Sequence, residues 1–425
     1  MKKVKAVKGD LSKLLNQNKK LFYYSNVPPV SSVSGAYSRV YSNVQLYLGL
    51  GFNITFIFTG RICESDKIDI EILNRVKYKP ISSIVNNHTD NTRFEKQHKL
   101  LDYVIKLFFK ESYYLRRQII DNLTKSPYAI HHFEYIQNAV AAVGLRGNFI
   151  WSNHDNVSKR ILLRRKMSIK PKSNISKLYN LFNYIKMRIF ERIVLYYIKL
   201  MVTISISEKH YYQKISPQKV HYIPFSLQNK NVNAVKPQSE KIKILHLGSL
   251  NAMLPFQSLL NLMENVYPLL SKDDLSKFDL LIVGENSEGV RLSILQKEFK
   301  KYSNIKVLGF VDNLETIWNK VDLHIISSNE EIGIRTKIVE SLMNKVPILC
   351  MKKTSIGLVG LKHLENIILP STFLEMTTFV KLILSGEIQT NSIAQNGFEL
   401  YKKHYSSKTN RRKMKSILIK AFNNK

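Results

Sequence analysis

The segment Gly333-Ile334-Arg335-Thr336-Lys337-Ile338-Val339-Glu340 sets a glycine turn ahead of a helical run, directly after the strand-like LHIISS. A helix opening in this way offers free backbone N–H groups and a positive dipole end, which suits a diphosphate. Arg335 and Lys337 add positive charge for a departing diphosphate. Fixed N–H dipoles and basic side chains can stabilise the charge that builds as such a bond breaks, without a metal. The plainer reading is an amphipathic helix with exposed Arg and Lys and a solvated Glu. A second cluster, His154-Asp155, closes the strand-like FIWS. A neutral imidazole there can hydrogen-bond a substrate, with Asp155 fixing its tautomer. The alternative is a loop histidine beside a capping Asp. His131 and His132 precede Phe133-Glu134, and at least one of them reads as structural.

Strands and loops must position these groups. LFYYSN (Leu21 to Asn26) reads as a strand, followed by a Pro/Ser/Gly loop containing Gly35, a helical run, and the strand FNITFIF (Phe52 to Phe58). A mostly helical stretch covers Lys96 to Asn122, and YAIHHFEY, NFIWSNHD, MVTISIS and VHYIPFS read as further strand segments. The polar stretch Leu227 to Lys241 has no periodicity and reads as a linker. Beyond it, KIKILHLGSL, FDLLIVGE, IKVLGFVD, VDLHIIS and VPILCM alternate with helical patterns. This predicts two doubly wound α/β domains: residues 1–228 and 242–400, joined by a linker at 229–241, with a basic helical tail at 401–425 that could cross back to the first domain. Ligands of such sheets bind at the carboxyl ends of the strands, so these loops are expected to face a cleft.

With 425 residues, two domains are the natural expectation. Hydrophobic residues at 44% and charged residues at 23% exclude a disordered chain. Sixty-five Lys and Arg against 32 Asp and Glu give a net charge of +33, which favours polyanionic partners. Cys63 and Cys350 lie in no metal-ligand spacing, and a reducing compartment fits them. Asp273-Asp274 lies in a polar turn rather than at a strand end, so no divalent-ion pair is expected. The basic N-terminus has no apolar core of a signal peptide. Ile193 to Ser207 is too short and too interrupted by Lys199 to span a bilayer.

The second half resembles the GT-B glycosyltransferases, specifically family 4 (glycosyl transferases group 1). ILHLGSLNAMLPFQSLLNLMENVYPLL, LLIVGENSEGV with IKVLGFVDNLETIWNKVDLHIISS, and GIRTKIVESLMNKVPILC carry the resemblance. SGAYSR, HFEYIQNAV, WSNHD, ISISEKHYYQK and VHYIPFS follow the same family's order in the first half. The resemblance implies a GT-B architecture of two Rossmann-like domains facing a central cleft. It implies transfer of a sugar from a nucleotide-diphosphate donor to a saccharide or lipid-linked acceptor, with retention and without cofactor or metal. Surface polysaccharides such as lipopolysaccharide or capsule are the expected context. Donor phosphates would meet Gly35, Gly333, Arg335 and Lys337, and the ribose would meet Glu340. The nucleotide would lie near Gly248, Gly284, Gly309 and Phe310, and His154 would act at the reacting sugar. Gly35 also suits an ordinary turn, and Phe310 also suits the core. The chain departs from the family pattern twice. Ser249 to Leu254 holds no basic residue, and Ile332 stands where an upstream glutamate is common. Glu331 is the substitute candidate for the sugar contact.

Ser158 to Leu200 mixes Lys and Arg with Leu, Ile, Phe and Tyr. On helices this gives a basic, apolar-edged face suited to an anionic membrane, hence a cytoplasmic protein peripheral at the inner face of the cell membrane. Nucleic acid is the competing polyanion, but no helix-turn-helix, zinc-finger, RRM or KH signature is present. A GT-B-shaped epimerase and a scaffold that has lost activity are the remaining alternatives.

Overall fold

The computed structural model describes residues 19–30, 35–60, 72, 74–80, 99–154, 156–158, 160–161, 174–227, 240–285, 290–331 and 336–423. The chain divides into two compact units, Met1–Phe225 with Asn410–Lys425, and Ser226–Thr409. The expected linker, but for its last two residues, lies outside the described residues.

In the first unit seven strands form one parallel sheet in the order β3-β2-β1-β4-β5-β6-β7. They are β1 (Lys20–Ser25), β2 (Asn53–Phe58), β3 (Lys77–Pro80), β4 (Ile130–Glu134), β5 (Asn148–Asn153), β6 (Leu200–Thr203) and β7 (Val220–Tyr222). Helices α1 (Gly35–Leu48), α2 (Lys99–Phe108), α3 (Lys110–Lys125), α4 (Tyr135–Ala139), α5 (Asn174–Tyr197) and α6 (Ile206–Gln213) accompany it. The central strands read as continuous apolar runs because both faces are covered. One face packs Phe133, Phe149 and Trp151 against Leu115, Ile119 and Val194. The other packs Leu21, Tyr23 and Phe56 against Val40, Val44 and Tyr47.

The helical stretch expected at 96–122 is two helices. Phe109 breaks it and turns its ring onto Phe190, with centroids 4.7 Å apart. The edge strand β3, KYKP, went unrecognised because it is short, lysine-rich and ends on proline. Those features suit an edge but give little apolar signal.

The second unit holds β8 (Ile242–Leu247), β9 (Phe278–Val283), β10 (Ile305–Gly309), β11 (Leu323–Ile326) and β12 (Ile348–Cys350), in the order β10-β9-β8-β11-β12, all parallel. Helices α7 (Met253–Asn265), α8 (Lys272–Ser276), α9 (Val290–Phe299), α10 (Glu315–Trp318), α11 (Thr336–Met343), α12 (Lys352–Ser355), α13 (Phe373–Leu384) and α14 (Thr390–His404) surround it. The last helix, α15 (Ser407–Asn423), enters the first unit from Asn410 onward. There Met414, Leu418 and Phe422 join the cluster around Tyr23. The buried Asn410 donates from Nδ2 to the Pro224 carbonyl at 2.9 Å.

In both sheets the strand order reverses beside the first strand, between β1 and β4 and between β8 and β11. Ligands of open α/β sheets gather at such reversals, at the strands' carboxyl ends.

Candidate functional site

At the reversal in the second unit, a cavity of about 140 Å³ is lined by His246 and Leu247 of β8, His324 to Ile326 of β11, and Ser328, together with Leu254, Pro255 and Ser258 around α7 and Thr336 and Lys337 of α11. Serine and threonine hydroxyls fix its rim. Ser258 Oγ accepts the backbone N–H groups of Ser327 and Ser328 at 3.0 and 3.1 Å. Thr354 donates to the Ser328 carbonyl. Both helices thereby hold the end of β11, from which the chain runs on toward Lys337.

The titratable groups in and next to the cavity are shifted toward neutrality. Burial lowers the Lys337 pKa, against the opposing pull of Glu340. Burial raises that of Glu340, against Lys337. Burial and then the Lys337 charge push His246 down to about 4. His324 is held well below its ordinary value, by burial first. Ser341 donates to the Lys337 carbonyl at 2.8 Å, so its oxygen accepts from His324 Nδ1 at 2.6 Å, which fixes the tautomer. The result is a small cavity, apolar over most of its lining, that gathers one lysine and two neutral imidazoles, groups able to meet an anion.

Three expected glycines close the neighbouring strand ends. Gly248 N–H donates to the Val283 carbonyl at 2.8 Å, and Gly284 N–H to the Gly309 carbonyl at 2.7 Å. Gly284 has φ +145°, and a Cβ there would stand 2.2 Å from the Gly248 carbonyl oxygen, so only glycine fits. A Cβ on Gly248 would lie 3.7 Å from Lys337 Cε, which puts that turn beside the cavity. Phe310 is 64% exposed, so it belongs to the surface and not to the core. Glu340 lies one turn beyond Lys337 on α11. Glu331 is partly buried after β11 and, like Glu340, is not among the cavity-lining residues. Gly333, Arg335 and Asp155 lie outside the described residues. His246 and His324 went unnoticed in the sequence, although an imidazole inside a buried strand such as ILHLG is itself a signal.

The first unit carries a different constellation at its own reversal. Glu134 ends β4 and is fully buried. Its Oε1 accepts from Tyr23 Oη, from Asn43 Nδ2 at 2.5 Å and from His132 Nε2 at 3.1 Å. Its Oε2 accepts from His154 Nε2. Burial opposes the ionised form of Glu134. Its pairing with His154 and the hydrogen bonds from both imidazoles outweigh it and hold the carboxyl well below the usual range.

Register explains the meeting. Glu134 pairs with Ser152 across β4 and β5, so His154, two residues farther on, emerges beside the carboxylate. Helix α1 supplies Arg39, Asn43 and Tyr47 at four-residue spacing, one inward stripe. Asn43 reaches Glu134, and Tyr47 Oη donates to His132 Nδ1 at 2.9 Å. Arg39 is buried and donates from Nη1 to the Pro224 carbonyl at 3.3 Å. Gly35 is the first residue of α1.

His132 is therefore a neutral positioning group, its pKa lowered by burial. His131 is structural: burial takes it down to about 3, and Tyr24 Oη donates to its Nδ1 at 2.9 Å. Tyr135 adopts φ +65°, rare for an aromatic residue, and sets its ring 4.2 Å from that of His154. Backbone strain of this kind concentrates at functional sites. Among the described residues no three His, Cys, Asp or Glu side chains gather as a metal site.

Residues 241–369 match the family model Glycosyl transferases group 1. No curated protein matches the chain in sequence. Solved structures resemble it over nearly its whole length. A glycosyltransferase from Rickettsia africae ESF-5 is 15% identical with a TM-score of 0.65, covering 96% of this chain and 100% of that one. The lipopolysaccharide outer core galactosyltransferase WaaB is 14% identical with a TM-score of 0.60, covering 94% and 99%. Anabaena Alr3699/HepE in complex with UDP-glucose is 12% identical with a TM-score of 0.63, covering 94% and 99%. The fold is that of the GT-B glycosyltransferases. Within that fold, the second unit carries the glycosyl transferases group 1 region.

Proposed function

We propose that the chain transfers a sugar from a nucleoside-diphosphate donor to a saccharide or lipid-linked acceptor, with retention, in the synthesis of a surface polysaccharide at the cytoplasmic face of the membrane. The observation that carries this reading is the cavity at the β8–β11 reversal, where Lys337 meets two neutral histidines. Lys337, with Arg335 and Gly333, receives the diphosphate as the glycosidic bond breaks; Glu340 holds the ribose. The nucleobase lies along Gly309 and Phe310. His154, oriented by Glu134, hydrogen-bonds a sugar hydroxyl. The similarity to HepE, whose structure holds UDP-glucose, supports a nucleotide-sugar donor. The similarity to WaaB supports a surface-glycan acceptor.

Thermal-shift measurements across a panel of nucleoside diphosphates test the donor side. One nucleotide is expected to raise Tm in proportion to its saturation. A flat response to all of them rejects the assignment. Charge neutralisation by lysine, arginine and amides leads to a second expectation: hydrolysis of the preferred nucleotide sugar continues undiminished in EDTA. Loss of activity that Mg²⁺ or Mn²⁺ restores would refute the metal-independent step.

A further inference from the structure

Helix α5 is apolar on two opposite sides. Its buried side holds Met187, Phe190, Val194 and Leu195, all in its second half. Its outer side exposes Ile175, Leu178, Tyr179, Phe182, Ile185 and Ile189 at three- and four-residue intervals, which places them on one stripe. Ile175 and Leu178 are 82% and 70% exposed. Helix α2 packs alongside, with Phe108 6.4 Å from Phe182 and 6.1 Å from Phe190 between ring centroids. It adds Leu100, Tyr103 and Leu107 to the exposed surface at matching spacing. Scattered exposed apolar residues are ordinary; a continuous stripe over two neighbouring helices is not.

Charge identifies what covers it. Lys177, Lys186, Arg188 and Arg192 lie on the same helix, and its only acidic residue, Glu191, is buried. On α2, Asp102 is bound to Arg116 at 2.6 Å. The face is therefore apolar with a basic border on a chain of net charge +33. A second copy would bring like charges together, which disfavours self-association. No helix among the described residues is long and apolar enough to cross a membrane. We infer that the α2–α5 face docks on an anionic bilayer, with the stripe in the acyl boundary and the lysines and arginines on lipid phosphates. This assignment rests on the face alone and not on the transfer reaction.

Flotation of the full chain with vesicles tests it. The protein is expected to float with phosphatidylcholine–phosphatidylglycerol vesicles, less so as salt rises, and not with phosphatidylcholine alone. The triple variant Ile175→Ser, Leu178→Ser, Ile185→Ser is expected to lose partitioning roughly tenfold or more, because the apolar contacts are gone. Lys177→Glu with Arg192→Glu is expected to lose it as well. Tyr179→Trp supplies a reporter whose emission shifts to the blue on anionic vesicles. Failure of the wild type to float, or flotation of the triple variant like wild type, overturns the inference. So does sedimentation showing a wild-type dimer that the triple variant dissolves. The nucleotide thermal shift is expected to be unchanged in these variants. A chain that floats yet answers no nucleotide would lose its donor assignment and keep its membrane face.

Discussion

Glu134→Gln is expected to lower turnover about a hundredfold, the scale of a mispositioned acid–base or hydrogen-bonding group, while nucleotide affinity stays near wild type. The reasoning is a count of donors and acceptors. Three donors converge on Oε1, from Tyr23, Asn43 and His132, and one on Oε2, from His154. A glutamine satisfies the three only by keeping its carbonyl there. Its amide NH₂ then faces His154 Nε2, which must turn from donor to acceptor. The imidazole proton moves to Nδ1, and the nitrogen that would accept from a substrate hydroxyl becomes a donor. The fold should survive, because the three-donor side stays paired. Stability should fall somewhat, since the buried Arg39 loses the opposite charge that favours its ionised form.

His154→Ala is expected to lower turnover on the same scale, and the double variant no further than either single one, because the two side chains act as a unit. Steady-state kcat and KM on all three variants decide the matter. Undiminished kcat in Glu134→Gln, or additive losses in the double variant, would remove the pair from the reaction.

That pair also marks where sequence reasoning stopped. His154 could be singled out because it ends a recognisable strand. Its partner could not, because the adjacent Asp155 was the only acid within local reach. Glu134, which accepts from its Nε2, sits twenty positions earlier and is delivered by parallel pairing of β4 with β5. Likewise α1 read as a helical run in sequence, but the inward turn of Arg39, Asn43 and Tyr47 depends on what β4 presents to it. The second unit was easier to read. Its strands are short, β-branched and evenly spaced, and its glycines sit where strands turn into helices. Even there His246 and His324 look inert until the sheet order places β8 against β11. Phe310 shows the limit in the other direction: an aromatic beside an apolar strand suits the nucleobase and the core alike, and only its exposure sets the core aside.

Lys337 carries the remaining expectation, for it combines a site and a proton. Burial lowers its pKa, so a fraction of the free protein is deprotonated as pH rises. A diphosphate placed in that cavity favours the charged lysine and raises the pKa again. The complex then holds more protons than the separated partners, so affinity must rise as pH falls through the range where free Lys337 titrates, and level off below it. Calorimetry of nucleoside diphosphate binding in two buffers of different ionisation enthalpy, at alkaline pH, should register proton uptake. Lys337→Met should raise Kd about tenfold to a hundredfold, the worth of one charged hydrogen bond, and should abolish the buffer dependence. Glu340 is set against this: its own pKa is raised by burial, and losing the lysine raises it further. A wild-type enthalpy independent of buffer, with Kd unmoved in Lys337→Met, would place the phosphates elsewhere and leave the cavity at the β8–β11 reversal without its assigned ligand.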